Sequence, residues 1–132
     1  MKNGKVGLVL FGLALVLSAC EGNTDRIRIV KNVTDSELTV YTMSYDSTWS
    51  SIQIPSGKRE TVVTTSQRGG SEDPGSPLLD VFGLIVVNAN QDTLKTDLND
   101  ANNWVIYSNQ IKKAPSNWEH EFVLNVDDAD FD

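Results

Sequence analysis

One cysteine and one histidine in 132 residues close off several kinds of chemistry before any pattern is read. A single Cys forms no internal disulfide framework and no Cys-rich zinc site, and a single His supplies no paired-imidazole metal site. Positive charge is scarce as well: 11 Lys and Arg stand against 18 Asp and Glu, a net charge of −7 with a pI near 4.5. Nucleic acid is therefore not an expected partner, because affinity for it comes mainly from Lys and Arg neutralising phosphates. The chain also lacks a Gly-x-Ser-x-Gly elbow, a glycine-rich phosphate loop and a His-Glu-x-x-His helix, the parts that nucleophilic, phosphoryl and zinc hydrolysis require. A catalytic triad would rest on His120 alone, and a pair of carboxylates for glycoside hydrolysis needs a cleft that a small domain has little room to build. The expectation is a protein that is not an enzyme and carries no cofactor or metal.

Helical periodicity is nearly absent too, and what replaces it is alternation with a period of two. Ile27 and Ile29 alternate with Arg26, Arg28 and Lys31, and Leu38 and Val40 with Thr39 and Tyr41; the turn residues at 32–36 between them predict a hairpin. The three basic residues are expected on the outward face of that first strand, kept there for solubility or for contact with anionic headgroups. Weaker strands follow at 50–54 and 59–65, separated by a Pro55-Ser56-Gly57-Lys58 reversal, and then a loop over 67–77 with three Gly and two Pro. One helical turn is expected at 78–80. The run FGLIVVN at 82–88 is apolar on both faces and predicts a central, most buried strand. A strand begins at 93–95, another spans 104–111, and the clearest alternation is Trp118, His120, Phe122, Leu124 and Val126 against polar neighbours. Seven or eight short strands between turn clusters predict an all-β antiparallel sandwich, immunoglobulin-like in architecture, over residues 26–126, with a small closed barrel as the alternative.

At the N-terminus, Lys2 and Lys5 precede a 12-residue uncharged apolar run at 6–17. As a helix it would reach about 18 Å, well short of the ~30 Å hydrocarbon core, so it reads as a removable signal rather than a span. It ends in Leu17-Ser18-Ala19-Cys20, which resembles the lipobox of bacterial lipoproteins. The alternatives are a free thiol behind an ordinary signal peptide or a retained apolar anchor. The resemblance implies residues 1–19 as signal peptide, cleavage between Ala19 and Cys20, and acylation of Cys20 by a diacylglycerol and usually a further acyl chain. Several acyl chains hold a protein on a bilayer, where one binds only reversibly. The mature chain would then keep 113 of the 132 residues, with 9 basic against 18 acidic side chains, and residues 20–25 would be the lipidated Cys and a short linker in which nothing packs.

Several further residues invite a functional reading. Asp128, Asp130 and Asp132 have the spacing that opens a calcium loop, but the Gly and Glu that complete one are missing, so residues 127–132 read as an acidic tail that frays into solvent. His120 falls on the apolar face between Trp118 and Phe122, where a backbone carbonyl is expected to satisfy it. Trp49, Trp104, Trp118, Tyr41, Tyr45 and Tyr107 offer the aromatic area from which a sugar or partner platform is built; Trp49, in a polar stretch, is the one expected to be exposed and to contact a ligand or partner.

In layout, with its lipobox, its IVVNANQDTL segment and its late W-x-H-x-F-x-L-x-V strand, the chain resembles the small uncharacterised lipoproteins of Bacteroidota. That resemblance implies O-glycosylation at Asp-Ser/Thr tripeptides, matched here at Asp92-Thr93-Leu94 and Asp46-Ser47-Thr48, hence at Thr93 and Ser47. Glu21 follows Cys20 where the inner-membrane retention signal of enterobacterial lipoproteins has Asp, which favours the outer membrane, on its periplasmic or surface face, with the periplasmic face of the inner membrane as alternative. The function expected is that of a tethered, non-enzymatic interaction module. Its partners would be the bilayer, through acylated Cys20, and an envelope or secreted protein; a glycan-binding protein and an immunity-type inhibitor with acidic contacts are the alternatives.

Overall fold

The computed structural model describes residues 21–132, so Ala19 and Cys20 lie outside the described residues. Seven strands follow one another: β1 (Asn23–Asn32), β2 (Leu38–Met43), β3 (Trp49–Ile54), β4 (Arg59–Arg68), β5 (Gly83–Val87), β6 (Val105–Lys113) and β7 (Ser116–Val126). They form a four-stranded sheet in the order β4-β1-β7-β6 and a three-stranded sheet in the order β3-β2-β5. Neither sheet closes, so the fold is the expected sandwich and the barrel alternative falls away. Four strands against three is the partition of an immunoglobulin constant domain, where the first strand pairs with the second. Here β1 pairs with β4 antiparallel and with β7 in parallel.

The core sits where both sheets overlap. Val30, Phe122, Leu124 and Val126 from the larger sheet meet Leu38, Val40, Ile54, Leu84 and Val86 from the smaller one. Each such side chain contributes about 2 kcal/mol on burial. Trp104 adds an edge-on contact to Phe122, with ring centroids 6.4 Å apart.

Four local expectations are corrected. The segments around β1 and β2 are not a hairpin: the two strands lie in different sheets. The buried Asn32 turns the chain from one sheet to the other, its Nδ2 donating to the carbonyls of Ser36 and Ile54 (2.8 Å each) while its Oδ1 accepts from the Thr34 amide and hydroxyl. The turn-like residues at 32–36 thus encode a crossover. Second, β5 is an edge strand: Leu84 and Val86 face the core, Gly83 and Ile85 face outward, and the strand expected at 93–95 is a single bridge from Thr93 to Val87.

Third, residues 21–25 are not a free linker. β1 begins at Asn23, Thr24 is fully buried, and the Gly22 and Glu21 carbonyls accept from the Gly69 and Gly70 amides. Fourth, the acidic end does not fray: a short 3-10 turn, Asp128–Phe131, is closed by a capping box between Asp127 and Asp130 and inserts Phe131 (6% exposed) into the core. An aspartate-rich string around one aromatic reads as a solvated tail, and the aromatic overrides it.

Candidate functional site

The two sheets differ in length, and that difference builds the molecule's polar interior. β1 has 10 residues and β7 has 11, against 6, 6 and 5 in the smaller sheet. Half of the larger sheet's inner face therefore extends past its partner. That half carries Thr24, Arg26 and Arg28 from β1 and His120 from β7, all buried, with Arg26 beside His120 and Arg28 beside Phe122 in the parallel register. The irregular segment 69–82 covers them. A loop without a ladder has backbone carbonyls that need donors, and guanidinium groups supply five N–H each.

Arg28 donates to the carbonyls of Pro77 (2.8 Å), Leu79 (2.6 Å) and Arg26 (3.2 Å) and to the Thr65 hydroxyl, and lies 5.5 Å from the Phe122 ring centroid. Arg26 donates to the carbonyls of Pro74 (2.6 Å) and Asp73 (3.3 Å) and to Gln67 Oε1. The Ser71 carbonyl lies 2.8 Å from His120 Nε2, with Ser108 Oγ 2.7 Å from Nδ1, and the Trp118 ring stacks on the imidazole. The outward reading of Arg26 and Arg28 is thereby corrected. Lys31 is exposed, but at the end of β1 remote from the N-terminus. Burial, with Arg26 close by, lowers the Arg28 pKa to about 10 against a partial offset from Asp80. Neither guanidinium has a carboxylate within ion-pair distance among the described residues, where Arg68 with Glu21 (3.8 Å) is the ion pair formed. This cluster is sealed and fastens the long loop.

The accessible feature is the outer face of the three-stranded sheet. Register places Trp49, Met43 and Gly83 in one row across β3, β2 and β5, then Ser51, Tyr41 and Ile85, then Gln53, Thr39 and Val87. No residue of these three rows is charged. Trp49 is 43% exposed, Ile85 38% and Tyr41 36%. The indole lies across the row: a Cβ at Gly83 would stand 2.8 Å from Trp49 Cη2 and 3.1 Å from Met43 Cβ. Glycine inside a strand often marks such a close approach, and Gly83 lets the ring lie over β5. The exposed Tyr45 and Phe82 flank the same edge of the sheet, in the β2–β3 turn and just before β5.

The β2–β3 turn is held by Asp46, whose carboxylate accepts from the Ser44 hydroxyl (2.6 Å) and the Thr48 amide (3.1 Å). Those bonds, Ser44 first, hold the Asp46 carboxyl below its ordinary value. Ser47 is exposed at the tip with φ 65, and Thr93 is exposed beside Val87, so both hydroxyls singled out for glycosylation lie at margins of the aromatic face. Of the aromatics named from the sequence, Trp49, Tyr41 and Tyr45 come together; Trp104 is in the core, Trp118 packs on His120, and Tyr107 lies in the other sheet. Met43, Gly83 and Ile85 were not legible as surface. The signal was present in Gly83, a glycine interrupting an apolar strand.

No cavity and no group of three or more His, Cys, Asp or Glu placed to hold a metal occurs among the described residues. No helix among them is long and apolar enough to cross a membrane. Comparison with protein-family models, with curated proteins and with solved structures gives no match.

Proposed function

We propose that the protein is a lipid-anchored, non-enzymatic interaction module of the cell envelope, held through acylated Cys20 on the outer membrane and binding an envelope or secreted protein. The anchor is supported by the Leu17-Ser18-Ala19-Cys20 motif behind a short apolar run. The observation that carries the interaction role is the uncharged aromatic face around Trp49, Tyr41 and Ile85, an open area with no cavity beneath it. Large flat side chains present contact area at low entropic cost, and such residues dominate binding at protein interfaces.

The test is affinity capture from detergent-solubilised envelopes with the wild-type chain and with Trp49→Ala. A partner retained by the first and lost by the second supports the reading; identical captured sets contradict it. One observation favours a second ligand class. A half-exposed indole reaching over Gly83, with Ser51, Gln53 and Thr39 as neutral hydrogen-bonding neighbours, is suited to contact with a sugar ring. Glycan-array binding that is lost in Trp49→Ala supports that form of the proposal, and silence of the array removes it.

A further inference from the structure

Two open sheets have four edge strands: β3 and β5 bound the smaller sheet, β4 and β6 the larger. An edge strand directs the N–H and C=O of every second residue away from its sheet, where they need water or another strand. Three of these edges are attended to. β3 runs into β4 through the turn at 55–58 and the two strands touch, which closes one side of the sandwich. β5 is covered by the segment that follows it, with the Leu94 amide donating to the Val86 carbonyl (2.9 Å) and Thr93 bridging to Val87. β6 alone is left: among the described residues it forms no backbone hydrogen bond outside its ladder with β7. Every residue of the strand except Ile106 is exposed. Its first six residues, Val105 to Gln110, hold no charge and no proline, and Val105, Ile106 and Tyr107 are strong strand formers. The devices that keep an edge from pairing, a bulge and lysines, come only after them, at the register irregularity between Gln110 and Lys112 and at Lys112 and Lys113.

The two ends of β6 carry opposite charge. The chain entering it presents exposed Asp97 and Asp100, whose carboxylates accept the Asn99 amide (3.0 Å) and the Asn102 amide (2.9 Å). Lys95 is the cation of that stretch, and its amide donates to the carbonyl of a further acid, Asp130. The chain leaving β6 presents exposed Lys112 and Lys113. Neither the two aspartates nor the two lysines form an ion pair among the described residues. The strand therefore has acid at its start, base at its end and no charge between. Two more acids, Glu119 and Glu121, stand one strand in on β7, opposite Asn109 and Tyr107, and Glu72 belongs to the loop on the inner side, after the Ser71 that meets His120.

We infer that β6 is the joint between two copies of this chain, paired antiparallel about a two-fold axis so that the two larger sheets run on as one. A two-fold interface requires a surface complementary to its own reverse, and β6 meets that requirement in backbone and in charge. Reversal of an uncharged strand with a free edge matches donors to acceptors along 105–110. It also brings Lys112 and Lys113 of each copy to the end at which the other presents Asp97 and Asp100, so the lysines become the cations between the acids of both copies. Strands in a sheet lie about 4.8 Å apart, which sets β7 and its counterpart three spacings, about 14 Å, from each other. Glu119 and Glu121 of the two copies are thus held beyond the Debye length of about 10 Å at 0.1 M salt. The joint lies in the sheet opposite to Trp49 and depends neither on that face nor on the acyl anchor.

Charge reversal at one end at a time tests the joint. The full chain, purified from its own cells in detergent, is weighed by native mass spectrometry as wild type, as Lys112→Glu with Lys113→Glu, and as Asp97→Lys with Asp100→Lys. The expected result is a two-chain mass for the wild type, a one-chain mass for each variant alone, and a two-chain mass holding one copy of each when the variants are mixed, because each then meets its opposite at both ends. A one-chain mass for the wild type overturns the inference. So does a two-chain mass that both variants retain, since the contact then lies elsewhere. Hydrogen exchange of the wild type supplies a measurement that depends on no substitution: alternate amides of 105–110 are expected to exchange more slowly at high protein concentration than at low, and rates that stay the same overturn the joint. Trp49→Ala is expected to keep the two-chain mass, which separates this contact from the partner-binding face.

Discussion

Arg28 is a charge buried at 0% exposure whose partners are backbone carbonyls, one hydroxyl and an aromatic face rather than a carboxylate. Its folded pKa of about 10 lies below the ordinary 12.5, so burial of the charge opposes folding at every pH below about 10. The group is retained because its removal strands acceptors. Arg28→Met is expected to destabilise the fold by about 3 kcal/mol, read from denaturant midpoints, since the Pro77 and Leu79 carbonyls lose their donor; unchanged stability would mean the loop has no need of the guanidinium. At Asp46 the sign runs the other way. Its folded pKa is depressed, so the stabilisation is present above the unfolded value of 3.8 and is lost as pH falls through the folded one. Protection of the Thr48 amide from hydrogen exchange, followed by NMR as pH is lowered, is expected to disappear in that window and to be absent in Asp46→Ala. Gly83→Ala is expected to lift the Trp49 indole off β5 and raise its accessibility to iodide quenching, with the β-sheet circular dichroism retained.

Among the elements, β7 was legible as a strand and in its inward positions from Trp118 to Val126, whereas the burial of Val123 on its other face was not. β1 was legible as a strand but not for what its inner face carries. Alternation identified two sets, Ile27 with Ile29 and Arg26 with Arg28, and hydrophobicity assigned the wrong set inward, because the cover at that end is a loop backbone that requires donors. Similarly, β5 has the apolar run of a central strand and spends one face of it on a surface platform. Trp49 was identifiable as exposed from its polar surroundings, whereas its neighbours Met43 and Gly83 become neighbours only through the cross-strand register. The C-terminal turn is where composition misled most. Phe131→Ala is expected to cost about 3 kcal/mol, as for other buried aromatics, and a change within error would restore the frayed tail.

At the scale of the described residues, a long sheet, a short sheet and a loop fastened by buried cations leave one uncharged aromatic face open, while residues 21–24 are fixed into one end of the long sheet. Cys20→Ser is expected to move the protein from the membrane fraction and to leave residues 1–19 uncleaved, while thermal unfolding of the sandwich stays as it was. The most direct test is intact-mass analysis of the native protein extracted from its own cells. A chain beginning at Cys20 and carrying a diacylglyceryl group there, with or without a further acyl chain, is the result required; a free thiol at that position, or a chain that still begins at Met1, would contradict the account.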